Sequence, residues 1–107
     1  MDGIFGSRLR SDVLIAVARL GTTYASELAG VLKKRPIEIQ RALRSLERAG
    51  LVTTRRVGRV RLVDLNRRYP ESSEMAMLLL KLSERPLYRE LWGRTSRRPR
   101  AMGKTPR

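Results

Sequence analysis

The sequence has 107 residues, the size of one domain, and 41% of them are apolar, which is enough for a packed core. It contains no histidine and no cysteine, which excludes disulfides, the usual zinc sites and acid–base catalysis by histidine. The net charge of +14 favours a polyanionic partner, of which DNA is a common example.

The chain is predicted to begin with a short arm, residues 1–6, in which Ile4 and Phe5 are apolar anchors. A first helix follows, capped by Ser7 and ending near Leu20 before a glycine stop signal. Apolar residues recur along it at helical spacing, so one face is expected to enter the core.

Two further helices are separated by a short polar turn. We expect them over residues 24–33 and 36–49, because Pro36 suits the first position of a helix and disfavours a helical residue before it. A short turn between two helices is typical of a helix-turn-helix, whose last helix lies in the DNA major groove. This segment supplies the first group of candidate DNA contacts, which can read base edges or clamp phosphates: Arg35, Ile37, Gln40, Arg41 and Arg44.

Residues 53–65 are predicted to form a β-hairpin that turns at Val57-Gly58, since glycine readily adopts positive φ. Apolar and arginine residues alternate along its second strand, so one face packs and the other is cationic. Such a hairpin suits the DNA backbone or minor groove, although edge charge also simply protects a strand from aggregation. The candidate contacts in this wing are Arg55, Arg56, Arg59 and Arg61.

The C-terminal part is predicted to contain a helix that opens at Pro70 and a short helix over residues 86–92. The first of these is apolar almost all round, which favours burial on more than one side. We therefore expect it to supply part of a homodimer interface together with the arm. The interface candidates are Ile4, Phe5, Met75, Leu78, Leu79 and Leu82.

Positive charge is confined to one internal segment and to the C-terminal tail. Residues 33–68 carry twelve Lys and Arg against three acids, a net charge of +9, and residues 93–107 carry six bases and no acid. A solvated surface normally mixes both signs throughout, so this distribution favours nucleic acid as a partner. The predicted organisation is an arm (1–6), a winged helix-turn-helix domain (7–69), a helical dimerisation segment (70–92) and a basic disordered tail (93–107).

Residues 26–29, 39–52 and 55–59 together resemble the winged helix-turn-helix of ArsR- and MarR-type transcriptional regulators. The most specific part is Glu47-Arg48-Ala49-Gly50-Leu51-Val52 followed by the glycine-centred wing. The resemblance covers about residues 4–82 and implies a mainly α fold with a small antiparallel β-hairpin: a three-helix core, a wing and a C-terminal helix. It assigns base reading to residues 35–44 and wing contacts to residues 55–61.

The resemblance has two departures. The small polar residue that usually opens the reading helix is replaced by Arg35-Pro36, which alters its N-terminal phosphate contact. The Cys and His ligands of metal-sensing relatives are absent, so metal sensing of that type is not expected.

The sequence thus predicts a regulator, and more specifically a repressor, that binds double-stranded DNA as a homodimer without metal or cofactor. It would read the major groove with helix 36–49 and the backbone or minor groove with wing 53–65. We expect a cytoplasmic, nucleoid-associated protein without membrane segments and without enzymatic activity. The alternative is a winged-helix adaptor for other proteins, or the DNA-binding subunit of a larger complex, for example with a nucleotidyltransferase-type partner.

Overall fold

The structure is a computed structural model that describes residues 7–94, so the arm with Ile4 and Phe5 and most of the basic tail lie outside the described residues. It confirms the predicted class, a mainly α fold with a small antiparallel sheet. The elements are α1 (Arg8–Leu20), β1 (Thr23–Tyr24), α2 (Ala25–Leu32), α3 (Pro36–Arg48), β2 (Val52–Val57), β3 (Val60–Leu65), α4 (Ser72–Ser83), α5 (Pro86–Arg89) and a 3₁₀ turn (Glu90–Arg94).

Helix α1 is the centre of the core. The Ser7 hydroxyl accepts a hydrogen bond from the Arg10 backbone N–H at 3.1 Å, and Gly21, at φ 77°, ends the helix. Because α1 contacts α2, α3, α4 and β3, it is buried on more than the single face that its spacing predicted. Its core residues are Val13, Leu14, Ile15, Ala16, Val17, Ala18 and Leu20.

A three-residue turn sets the angle between α2 and α3. Lys33 ends α2 in a left-handed conformation, at φ 57°, which is uncommon for a residue with a side chain. Pro36 then occupies the first turn of α3, and the Glu38 carboxylate accepts a hydrogen bond from the Arg35 backbone N–H at 3.3 Å. Helices α2 and α3 each begin and end within two residues of the predicted positions.

The sheet has the strand order β1-β3-β2 and is antiparallel throughout. Val57 pairs with Val60 across the two-residue loop Gly58-Arg59, and Gly58 has a φ of 64°. Glycine relieves the steric strain that a side chain would meet at that angle. Strand β1 was not predicted, because two residues are too few to show an alternating pattern.

Helix α4 packs against α1, and because of this packing part of the predicted dimer interface is wrong. Leu79 and Leu82 are 0% and 4% exposed inside the single chain, so they belong to its core and are not available to a partner. Met75 is half-buried against the same core. The helix begins at Ser72, two residues later than predicted, because Pro70 and the following residue form a turn.

The last two elements are joined to the core by hydrogen bonds. The Tyr88 hydroxyl donates to the Asp12 carboxylate at 2.7 Å, and the Trp92 indole N–H donates to the Ser83 carbonyl at 2.9 Å. Burial, together with the hydrogen bond to Asp12, raises the pKa of Tyr88 to about 12. The phenol therefore stays protonated, and remains a donor, at any physiological pH.

Candidate nucleic-acid interface

Helix α3 buries one stripe and presents two separate flanks to solvent. Ile39, Ala42, Leu43 and Leu46 are buried, at 0% to 7% exposure, and hold the helix on the core. The candidate reading residues Ile37, Gln40, Arg41 and Arg44 are all exposed, as predicted from their positions opposite that stripe.

The first flank faces the wing across a groove of about 390 Å³, named here the α3–wing groove. Gln40 and Arg44 line it from α3, and Arg61 lines it from β3. Its floor is formed by apolar and small side chains, among them Leu43 and Val63. Two cationic groups and one amide from different elements therefore converge on one surface.

The strand register divides the wing arginines between the two faces of the sheet. Arg56 lies directly opposite Arg61, on the face that carries buried Val63 and that is turned towards α3. Arg55 lies opposite Leu62 and therefore projects from the other face, where its Nη2 is 3.9 Å from the Asp64 carboxylate. The prediction of one packed face and one cationic face is therefore wrong, because Arg61 shares its face with buried Val63 and Arg55 projects from the opposite face.

A chain of hydrogen bonds crosses the α3–wing groove. The Thr54 hydroxyl donates to the Glu47 carboxylate at 3.0 Å and accepts from Nη1 of Arg61 at 3.3 Å. These hydrogen bonds link the wing to α3 and hold the Arg61 guanidinium towards that helix. Sequence reasoning missed Thr54 and Glu47, because their contact depends on the strand register.

The second flank of α3 faces the start of α1. Arg41 lies there, beside Arg10 and Ser45, in a depression of about 380 Å³. Nη1 of Arg10 donates to the Ser45 hydroxyl and so joins α1 to α3. Arg41 and Arg44 are neighbours on the exposed surface of α3, but Arg41 lines only this depression and not the groove that faces the wing.

The remaining two candidates lie at the margins of this surface. Arg35 precedes α3, with its side chain 78% exposed and its Nη2 3.9 Å from the Glu38 carboxylate. Arg59 is exposed in the loop at the wing tip. Both positions leave the guanidinium groups accessible to an external anion.

Within residues 7–94, no group of three or more acidic, histidine or cysteine side chains is arranged to hold a metal ion. The same part of the chain has no helix that is both long enough and apolar enough to cross a membrane.

No protein-family model matches the sequence, and no curated protein is similar enough to match it. Solved structures do resemble it. ZitR of Lactococcus lactis, a zinc-responsive MarR family member, has a TM-score of 0.56 and 24% identity, covering 89% of this chain and 67% of that one. A ZitR mutant in complex with DNA has a TM-score of 0.56 and 25% identity, covering 84% of this chain and 62% of that one.

The adhesin competence repressor AdcR of Streptococcus pyogenes is also similar, with a TM-score of 0.57 and 17% identity over 84% of this chain and 68% of that one. These likenesses confirm the winged-helix fold and the expected resemblance to MarR-type regulators. The chain spans about two thirds of the length of ZitR, and it lacks any His or Cys.

Proposed function

We propose that this chain is a transcriptional regulator that binds duplex DNA, with α3 in the major groove and the wing against the neighbouring backbone or minor groove. The observation that carries the proposal is the convergence of Gln40, Arg44 and Arg61 on the α3–wing groove. The fold it shares with ZitR, which has been solved with DNA, supports the same assignment.

The proposed roles on α3 follow from side-chain chemistry. Arg44 can donate two parallel hydrogen bonds to guanine, and Gln40 can pair in the same way with adenine. Ile37 is 46% exposed, so its side chain is available for contact with a thymine methyl group. These three side chains would read sequence, whereas contacts to phosphate set position.

The wing combines cations with an apolar tip. Arg56 and Arg61 share the face turned towards α3, and Arg59 lies in the loop between the strands. Val57 and Val60, the last pair of the hairpin, are 51% and 42% exposed. Arginines around a small apolar tip suit the narrow minor groove, where guanidinium groups meet a strong negative potential.

Binding to duplex DNA is expected to weaken steeply with salt. Neutralising about four phosphates releases enough counterions to lower affinity about a hundredfold between 50 and 200 mM salt. Fluorescence anisotropy on labelled duplexes at several salt concentrations measures this directly. Absence of binding, or affinity that does not change with salt, would contradict the proposal.

We further propose repression through occupancy of a promoter by a homodimer that reads two half-sites about one duplex turn apart. Helix α4 offers an exposed apolar face, with Met77 61% and Leu78 47% exposed. AdcR, a structural neighbour, is itself a repressor by name.

The double variant Met77→Lys with Leu78→Lys is expected to convert a dimer into a monomer, because two charges replace apolar contact area. Size-exclusion chromatography with light scattering measures the mass. Ser26→Lys, which adds a charge at an exposed polar position on α2, away from the α4 face, is the control and should stay dimeric. A wild-type chain that is monomeric at every concentration would favour the alternative, an adaptor whose apolar face binds a different protein.

A further inference from the structure

We propose that the depression between α1 and α3, named here the α1–α3 pocket, binds one backbone phosphate of duplex DNA through Arg10 and Arg41. This inference rests on the proposed function and adds a contact on the side of α3 away from the wing. The pocket is lined by Ser7, Leu9, Arg10, Glu38, Arg41, Ala42 and Ser45.

Arg10 is held in place before any ligand arrives. Its Nη1 donates to the Ser45 hydroxyl, and its Nε is buried. Among residues 7–94, the bond to Ser45 is the only side-chain hydrogen bond that Arg10 makes. A guanidinium has five N–H groups, so Arg10 keeps donors for an anion while its own freedom is already restricted. Restricting it in advance lowers the entropy cost of binding.

The local charge favours an anion. The first turn of α1 has no acidic residue and carries Arg10 beside Arg8, whose Nε is 4.0 Å from the Asp12 carboxylate, although the positive end of a helix dipole normally attracts acids. Glu38 is the one acid that lines the pocket. Its carboxylate already accepts a hydrogen bond from the Arg35 backbone N–H and lies 3.9 Å from the Arg35 guanidinium. Arg10 and Arg41 therefore lack a neutralising partner within the pocket, and a phosphate supplies one.

The dimensions of the duplex place a phosphate near this pocket. The major groove is about 12 Å wide, and a helix with its side chains is about 10–12 Å across. A helix that fills the groove meets both of its walls, each of which is a phosphate backbone. The α3–wing groove and the α1–α3 pocket lie on the two flanks of α3, so one wall would meet each of them.

The test compares Arg10→Met, which keeps an unbranched apolar stem, with Arg89→Met, an equal loss of charge at an exposed position on α5. Arg10→Met is expected to weaken duplex binding about tenfold on every sequence and to lower the salt slope by about one. Arg89→Met should bind as the wild type does. Equal binding by both variants would overturn the pocket while leaving the proposed function standing, whereas a wild type that binds no duplex would overturn both.

Neutral methylphosphonates distinguish a direct contact from a structural role of Arg10. On a duplex selected from random sequences, replacing the contacted phosphate should weaken binding by the wild type but not by Arg10→Met. A loss of the same size in both proteins would mean that Arg10 acts only through Ser45, and the proposal would be wrong. If the Arg10 variant unfolds, the same binding measurements are made with Arg41→Met, which changes an exposed residue. The same results would then support or contradict the proposal.

Discussion

Replacing Leu79 by alanine is expected to lower the free energy of unfolding by about 3 kcal/mol, within the range of about 2–5 kcal/mol typical of buried leucines. Leu79 is fully buried where α4 packs against α1, so its truncation leaves a cavity that this small core cannot easily close. This loss is large compared with the total free energy of unfolding of a typical domain, which is about 5–15 kcal/mol.

Leu78→Ala is the matched control, because Leu78 is the preceding residue of the same helix but is 47% exposed. At a concentration low enough to keep the chain monomeric, its effect should stay below about 1 kcal/mol. Urea unfolding followed by circular dichroism gives both values. If the two variants lost equal stability, α4 would not pack on α1 in the orientation described.

The helices could be predicted from sequence because their signals are local. Ser7 and Gly21 mark the ends of α1, and Pro36 marks the start of α3, each through the chemistry of its own residue type. The roles of Leu78 and Leu79 could not be separated in the same way. Helix α4 is apolar almost all round, so its sequence does not indicate which side meets α1.

The arrangement of the arginines was only partly predictable. Their exposure follows from the helical and strand periods, and all nine predicted DNA contacts are exposed. Their grouping depends on how elements pack. The pairing of Arg56 with Arg61 turns Arg55 to the opposite face, and the packing of α1 on α3 places Arg41 beside Arg10. Neither follows from periodicity along the chain.

This grouping has a consequence for specificity. We propose base reading for the flank of α3 that faces the wing and phosphate contact for the flank that faces α1. Substitutions of Arg44 and Arg41, which are three residues apart, should therefore differ in kind. Loss of Arg41 should weaken all sequences about equally, whereas loss of Arg44 should change which sequences are preferred.

Arg44→Ala is expected to weaken binding to a preferred duplex by about 1–3 kcal/mol, a factor of about 5 to 150, and to relax preference at one base pair. The reason is that a bidentate arginine–guanine contact is lost, and Gln40, which lines the same groove from α3, cannot supply that contact. Competition titrations with single base-pair variants of the selected site measure the effect. The loss should be largest on the intact site and should vanish on the variant whose guanine has been replaced.

Arg89→Ala is the control, because Arg89 is exposed on α5 and lines neither the α3–wing groove nor the α1–α3 pocket. This variant should weaken binding no more than the removal of any charge far from the DNA, and by the same factor on all sequences. A uniform loss for Arg44→Ala, equal on every base-pair variant, would reassign Arg44 to a phosphate. Gln40 and Ile37 would then have to carry sequence reading alone, and α3 would have to enter the groove at its N-terminal end.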